Sequence, residues 1–237
     1  FRLSAFKDNS PDELLDVIFT TEFIDAPGTT FYYTNATSIL LGMVVERVSG
    51  KCLAAAADDV FFKPLGMTRT TFSPEIFNRE EIVPTEYDEW RGRLIRGEVH
   101  DESAFTLRKK MIAGSAGLFS TVPDNLNFLE MMLNEGVYDG RRFLSASSMK
   151  AIQTNQLSIP GVCAGLGWEL CQPRYMGNYY GPKTFGKTGF TGCVCMGDCG
   201  KGIGLAIFSN YTFPKRKPDT AAINSVRSDC ADIVLRC

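Results

Sequence analysis

The sequence has little histidine, no long hydrophobic run and almost no net charge, and each shortage excludes a class of function. Its 237 residues include one histidine, His100, which excludes a zinc site built from several histidines. Apolar runs such as Ile39-Leu40-Leu41 are too short to span a bilayer. The net charge of -2 gives no electrostatic reason to expect binding to nucleic acid or to an anionic membrane.

The start of the chain also lacks two features of a natural N-terminus. There is no initiator methionine, and no basic stretch followed by an apolar one, so no signal peptide is visible. Processing, truncation and further residues upstream are therefore all open at this point.

The eight cysteines do not have the spacing of a secreted disulfide scaffold. The run Cys193-Val194-Cys195 followed by Cys199 suggests a metal, but it lacks the paired C-x2-C spacing of zinc sites, and free cysteine often packs in cores. We therefore expect no metal and no cofactor. The free thiols favour a reducing compartment such as the cytoplasm or an anaerobic source, and a periplasmic location is the alternative.

Periodicity and turn residues predict a series of helices followed by a series of strands. Ser10 is expected to cap the first helix and Asn35 the second. The predicted helices cover residues 11–20, 35–48, 52–62, 123–134, 145–154 and 219–235. The predicted strands cover residues 165–171, 183–188, 193–196 and 202–209. In residues 73–117 the apolar residues follow neither a helical nor a strand period.

This order of elements indicates an α+β fold with an antiparallel sheet. We expect one domain over residues 1–237, with a mainly helical part at about 33–160. The sheet strands and the last helix should then occupy about 161–237.

The sequence contains one stretch that looks like a nucleophile elbow, Ala113-Gly114-Ser115-Ala116-Gly117. An α/β-hydrolase needs its histidine after the serine in chain order, whereas His100 precedes Ser115. A Gly-rich turn is the simpler interpretation. A serine hydrolase without such a histidine must use another base, and tyrosine and lysine can serve when their pKa values are lowered beside other cations. Tyr33 and Lys187 are residues of the right type.

Two tripeptides, Tyr33-Thr34-Asn35 and Lys187-Thr188-Gly189, carry most of the functional information. With their flanking residues they resemble two active-site elements of the class C β-lactamase-like family of penicillin-recognising serine hydrolases, which includes esterases and D,D-peptidases. The similar stretches are Phe31 to Asn35, Leu40-Leu41-Gly42, Val48-Ser49-Gly50, Pro64 to Thr68, Val99-His100-Asp101, Ala113 to Ser120 and Phe185 to Gly192. The resemblance extends over the whole chain, and many relatives carry histidine at the positions of Ser115 and Lys187.

The resemblance implies a β-lactamase/transpeptidase-like fold, with an antiparallel sheet flanked by helices, an all-helical subdomain and the site between them. It implies that Tyr33 is the general base and that Asn35 holds the acyl side chain and a catalytic lysine. Lys187 and Thr188 would set the electrostatics and bind a substrate carboxylate. Gly189, Phe190 and Ser115 would complete the substrate site, with the Phe190 N–H as an oxyanion donor.

The third element of the family, a Ser-x-x-Lys nucleophile, has no convincing match. Ser147 to Lys150 lies between the other two motifs, which is the wrong order. Ser4 to Lys7 lies only 29 residues before Tyr33, where the family needs a buried helix and a long connection. The stretch from Phe1 to Phe6 instead resembles a segment downstream of the nucleophile helix. We therefore expect that helix and the first sheet strands to precede residue 1, and three explanations stay open: they lie on another chain, they have been removed, or they are absent.

Two functions follow from these residues. The first is a serine hydrolase that forms an acyl-enzyme with a small-molecule or peptide substrate: an ester, an amide, a β-lactam or a D-amino acid peptide. The alternative is a non-catalytic relative that binds a peptidoglycan peptide or a protein partner. In both cases we expect the chain to pair with its missing N-terminal segment or to form a homo-oligomer, because a sheet without its first strands has an unpaired edge.

Overall fold

The computed structural model describes residues 3–236, which form an α+β fold with a four-stranded antiparallel sheet. The helices of this part of the chain are α1 (Pro11–Thr20), α2 (Asn35–Ser49), α3 (Leu53–Ala57), α4 (Glu102–Leu107), α5 (Val122–Leu133), α6 (Ala146–Gln153), α7 (Pro173–Met176) and α8 (Ala221–Leu235). The strands are β1 (Tyr87–Asp88), β2 (Arg93–Leu94), β3 (Val137–Tyr138), β4 (Arg141–Arg142), β5 (Glu169–Leu170), β6 (Thr184–Thr188), β7 (Val194–Asp198) and β8 (Ile203–Ile207).

Local sequence determines where the first two helices begin. Ser10 and Glu13 form a capping box, in which each side chain accepts a hydrogen bond from the backbone N–H of the other. The cap of α2 differs from the prediction. Thr34, not Asn35, is the N-cap, because its hydroxyl accepts the Ala36 N–H, and Asn35 is the first helical residue. The Asn35 amide is thereby free for another partner.

The four-stranded sheet has the strand order β5-β6-β7-β8. On one face, α5 packs through Leu129 into a core that includes Phe185 of β6. On the other face, α7 and α8 pack through Met176 and Leu235 against Met196 of β7. The sheet is therefore covered on both faces, while β8 pairs with β7 alone among the residues described.

The helices before the sheet form a second core of α1, α2 and α4, which includes Leu14, Ile39 and Leu107. The loop that follows α4 lies directly against α2. A Cβ added to Gly114 would overlap the carbonyl oxygen of Ser38, so only glycine allows this approach.

Several elements differ from the predictions. Residues 73–117 are less irregular than expected, since they contain α4 and the β1-β2 hairpin. The helix predicted over 52–62 is α-helical only to Ala57 and continues as a π-helical turn over Asp58–Phe62. The strand predicted over 165–171 is reduced to β5, and α7 was not predicted. The boundary near residue 160 stays a prediction. Nowhere in residues 3–236 does a helix have the length and apolarity to cross a bilayer.

Candidate active site

The fold brings Tyr33 and Lys187 together from distant parts of the chain. The Lys187 Nζ lies 5.1 Å from the centroid of the Tyr33 ring. Tyr33 precedes α2 and is 72% exposed, so its ring is open to solvent on the outer side. A hydroxyl and an ammonium thus occupy one surface, which is the arrangement that the two tripeptides predict.

The alternating direction of side chains along β6 explains why Lys187 reaches this surface. Phe185 and Lys187 point to the same face, because successive side chains of a strand alternate. Phe185 is fully buried under α5, whereas Lys187, two residues further on, is partly exposed. Gly186 points to the opposite face, where an added Cβ would lie 3.0 Å from Cε2 of Tyr175.

Glu169 of β5 is the acidic partner of Lys187, with 2.9 Å between its Oε1 and the Lys187 Nζ. The antiparallel register places Glu169 opposite Gly186, next to Lys187 on the neighbouring strand. Its second oxygen lies 2.9 Å from Arg174. No sequence motif marks Glu169, and its one visible signal is an acidic residue within a predicted sheet strand.

Tyr175 is the other tyrosine beside this ion pair, and its environment is unlike that of Tyr33. It is fully buried beneath β6. Burial, and then the nearby Glu169 carboxylate, raises the pKa of Tyr175 far above its ordinary value. A buried phenol of this kind does not exchange protons with a substrate, which leaves Tyr33 as the candidate base.

Asn35 is held by an aspartate that the sequence analysis named only as part of a similar stretch. The Asn35 Nδ2 donates to Asp101 Oδ2 at 3.1 Å. The other Asp101 oxygen accepts from the Ala104 N–H at the start of α4. Asp101 therefore joins the Tyr33-Thr34-Asn35 element to α4.

Arg227 of α8 holds the turn that follows Lys187-Thr188-Gly189. Its guanidinium donates to the carbonyl oxygens of Gly189 at 2.9 Å, Gly192 at 3.1 Å and Cys193 at 2.8 Å. No sequence motif marks this residue either. The signal was an arginine on an apolar stripe with four-residue spacing, since Ile223, Ala231 and Leu235 share its buried face.

The remaining predicted residues of this strand lie at its end. Thr188 is partly buried, and Gly189 and Phe190 are exposed. The Phe190 N–H has no hydrogen-bond partner within the described chain, so it is free to donate to a ligand. The Phe190 ring stacks on His100, with 5.8 Å between the ring centroids.

Ser115 lies in the loop that packs on α2. Its hydroxyl is buried and has no hydrogen-bond partner among residues 3–236. Its contact with substrate, like the roles of the other site residues, stays a prediction.

The close approach of this loop to α2 gives a test of the local packing. Gly114→Ala is expected to lower the free energy of unfolding by about 1–3 kcal/mol, because the added methyl group must displace the Ser38 backbone. Ser115→Ala is the matched control, since it removes a hydroxyl that makes no hydrogen bond and is expected to be neutral or slightly stabilising. Urea denaturation of both variants measures the difference. Equal midpoints would contradict the close approach.

Neither literal Ser-x-x-Lys match has the setting of a nucleophile. Ser4 lies in a 3-10 turn, and the Lys7 amine lies 5.3 Å from the Trp90 ring centroid. Ser147 is exposed on α6, where its hydroxyl pairs with Ser145.

The cysteines of residues 193–199 do not come together as a set of metal ligands. Burial raises the pKa of Cys195 to about 12 and that of Cys199 to about 11, which disfavours the thiolates that bind metals. In the described part of the chain, no three His, Cys, Asp or Glu side chains form a group that could hold a metal ion.

Comparison with known proteins supports the family resemblance. The sequence profile of the family described as Beta-lactamase matches residues 2–227. The chain is 31% identical over 223 residues to a "Putative D-alanyl-D-alanine carboxypeptidase" of Escherichia coli K12, covering 87% of this chain and 51% of that protein. It is 29% identical over 200 residues to an N-acetylmuramyl-L-alanine amidase of Bacillus subtilis, covering 77% and 45%. The chain thus spans about half the length of the curated relatives it matches.

Solved structures agree on the fold. The octameric penicillin-binding protein homologue from Pyrococcus abyssi superposes with a TM-score of 0.63 at 23% identity, covering 94% of this chain and 51% of that one. Unliganded simvastatin synthase from Aspergillus terreus superposes with a TM-score of 0.68 at 17% identity, covering 98% and 63%. The predicted β-lactamase-like α+β fold is confirmed.

Proposed function

The chain belongs to the beta-lactamase family of serine hydrolases, and from this premise we propose that it forms the tyrosine- and lysine-bearing part of an acyl-transfer active site. The observation that carries the proposal is the approach of Lys187 to Tyr33, with Nζ 5.1 Å from the ring centroid. A hydroxyl that can relay a proton and a cation that can hold an anionic group are the two parts that a histidine-free serine hydrolase needs beside its nucleophile.

In the proposed reaction a serine Oγ attacks the carbonyl carbon of an ester, amide, β-lactam or D-amino acid peptide. The Tyr33 hydroxyl relays the proton: it takes the proton of the serine while giving its own to the leaving alcohol or amine. Water later hydrolyses the acyl ester and returns a proton to the serine Oγ. The Phe190 N–H, which has no partner among the described residues, is proposed to donate to the developing oxyanion. Lys187 would bind a substrate carboxylate, which must share the ammonium with Glu169 at 2.9 Å.

The nucleophilic serine is proposed to come from outside these 237 residues. The settings of Ser4 and Ser147, one in a 3-10 turn and one on the exposed side of α6, support this. A segment carrying Ser-x-x-Lys would approach the open side of Tyr33. The relatives are about twice as long as the part of them that the chain matches, which leaves room for such a segment.

An apolar surface on α2, the helix that follows Tyr33, supports the same proposal. Helix α2 buries Ile39 but exposes Leu41, Val44 and Val48 on its other side. A row of exposed apolar side chains on one helix usually marks a surface that another segment or a partner covers. We propose that the nucleophile segment covers this face of α2. It would also supply a strand to the outer edge of β8, which has no other partner among residues 3–236.

The test is the intact mass of the denatured protein after incubation with a fluorophosphonate or a penicillin. We expect an adduct on a polypeptide, or a part of one, that carries a Ser-x-x-Lys outside residues 1–237. The control is the same protein unfolded before the reagent is added, which should stay unmodified because an isolated serine is unreactive. An adduct that maps to Ser4, Ser115 or Ser147 would contradict the proposal.

A second function, binding without catalysis, is favoured by one observation. Neither Ser-x-x-Lys of the chain lies in the setting of a nucleophile. Lys187 is nevertheless partly exposed beside Glu169, and the Phe190 N–H has no partner among the described residues. If no adduct forms on any polypeptide of the purified protein, while a D-alanyl-D-alanine peptide binds and Lys187→Met abolishes that binding, this second function replaces the first.

A further inference from the structure

We propose that Val99-His100-Asp101, called here the bridge segment, positions the two halves of the active site relative to each other. Asp101 orients the Asn35 amide on one side, and His100 supports the Phe190 ring on the other. The inference rests on the proposed function, because it assigns a role in that site.

The contact with Asp101 decides which way the Asn35 amide faces. An ionised carboxylate only accepts hydrogen bonds, so the Asn35 NH2 group must face Asp101, at the observed 3.1 Å. The Asn35 carbonyl oxygen is then left as an acceptor for a cation such as the lysine of the nucleophile motif. Asp101 is itself fixed, since its other oxygen accepts from Ser103 Oγ at 2.6 Å and Ala104 N at 2.8 Å.

On the other side of the segment, His100 is fixed by a buried carboxylate. Its Nε2 lies 2.8 Å from Oε1 of Glu86. Burial acts to raise the pKa of Glu86, but hydrogen bonds from Arg216 and His100 outweigh it and leave the pKa below its ordinary value. Glu86 is therefore an ionised acceptor at neutral pH, and the proton of a neutral His100 must sit on Nε2. The imidazole ring then lies at 27° to the Phe190 ring.

The backbone between these two contacts is also held. Arg91 donates to the carbonyl oxygens of Val99 and His100, at 2.7 Å each. Its side chain is almost fully buried beside Asp88, with 3.1 Å between Nε and Oδ2. Every residue of the bridge segment thus has a hydrogen bond to a group outside it, and Asp101 and His100 each touch an active-site residue. A segment held in this way keeps the Asn35 amide and the Phe190 N–H at a constant separation.

The first test is spectroscopic and needs no catalytic activity. Because the chain has one histidine, the imidazole nitrogens of the ¹⁵N-labelled protein are assigned without ambiguity. We expect Nε2 to carry a proton, since it faces the Glu86 carboxylate. Asp101→Asn should shift the Asn35 side-chain amide resonances, and His100→Gln should shift the Phe190 backbone amide resonance. Glu89→Gln, at an exposed site in the same region, is the control and should shift neither.

The second test is kinetic and uses the assembled enzyme with an uncharged ester. Asp101→Asn keeps the helix cap, since asparagine caps as well as aspartate, but its amide can turn either way. We expect kcat to fall about ten- to a hundredfold in Asp101→Asn and His100→Gln, with little change in KM, because a small misplacement of catalytic groups mainly affects the transition state. His100→Phe keeps a ring against Phe190 and should retain most of kcat.

The outcomes separate this inference from the proposed function. If the wild-type protein forms no fluorophosphonate adduct, the proposed hydrolase activity fails. The resonance shifts would still support the positioning role of the bridge segment. An Nδ1–H tautomer, or unchanged Asn35 and Phe190 resonances in both variants, would overturn the bridge segment whatever the activity. Normal kcat in both variants of an active enzyme would overturn it too.

Discussion

Arg227→Met is expected to lower the free energy of unfolding by about 1–3 kcal/mol, because it removes a donor from three carbonyl oxygens and leaves that of Gly192 without a partner among the described residues. The carbonyls belong to the turn 189–193, which directly follows β6. The backbone conformation at the end of β6 should therefore change as well. Methionine has a similar length and no charge, which limits the change to the lost hydrogen bonds. Guanidinium denaturation followed by tryptophan fluorescence measures the effect.

Arg236→Met is the control for that experiment. Arg236 follows α8 directly and is exposed, so its replacement should change stability by no more than about 0.5 kcal/mol. Arg227→Lys should fall between the two, because a lysine ammonium keeps the charge but cannot reach three acceptors with the planar fork of arginine. If Arg227→Met and Arg236→Met had the same midpoint, Arg227 would not be holding the turn.

Tyr33→Phe is expected to reduce the rate of acylation in the assembled enzyme by about 10²–10⁴-fold, the usual contribution of a general base. Lys187→Met should reduce it by about 10²–10³-fold, as when one preorganised electrostatic group is removed from a site. Both residues are partly or largely exposed, so neither replacement should alter the fold. Release of a chromophore from an activated ester under single-turnover conditions measures acylation directly.

The chain offers a matched control in the adjacent residue. Tyr32 is also an exposed tyrosine, but its hydroxyl donates to Asp25, whereas the Tyr33 ring lies against the Lys187 amine. Tyr32→Phe should therefore acylate at the wild-type rate. Equal rates in the two tyrosine variants would remove Tyr33 from the mechanism.

Several parts of the fold could be predicted because they depend on short stretches of sequence. The cap of the first helix at Ser10 is a local signal, and the structure confirms it as part of a capping box. The left-handed Gly50 that follows α2 is a local signal of the same kind. The cap of α2 was wrong by one residue because Thr34 and Asn35 are both good caps. What decided between them is the distant Asp101, which engages the Asn35 amide.

The segment 73–117 was the least predictable region, and the reason is again physical. Its order comes from buried charges such as Glu86, Asp88 and Arg91, whose partners are polar, so no apolar period marks the segment. Helix α4 within it is only six residues long, too short for a helical period to stand out.

The sequence by itself determined the family, the order of helices and strands and the two tripeptides of the site. These follow from apolar periodicity, capping residues and short motifs, all of which act over a few residues. Only the tertiary structure decided which side chains surround those tripeptides. Glu169 reaches Lys187 through strand register, Asp101 reaches Asn35 through the packing of α4 on α1 and α2, and Arg227 reaches the turn 189–193 from α8. Such pairings depend on contacts between distant parts of the chain, and no local pattern encodes them.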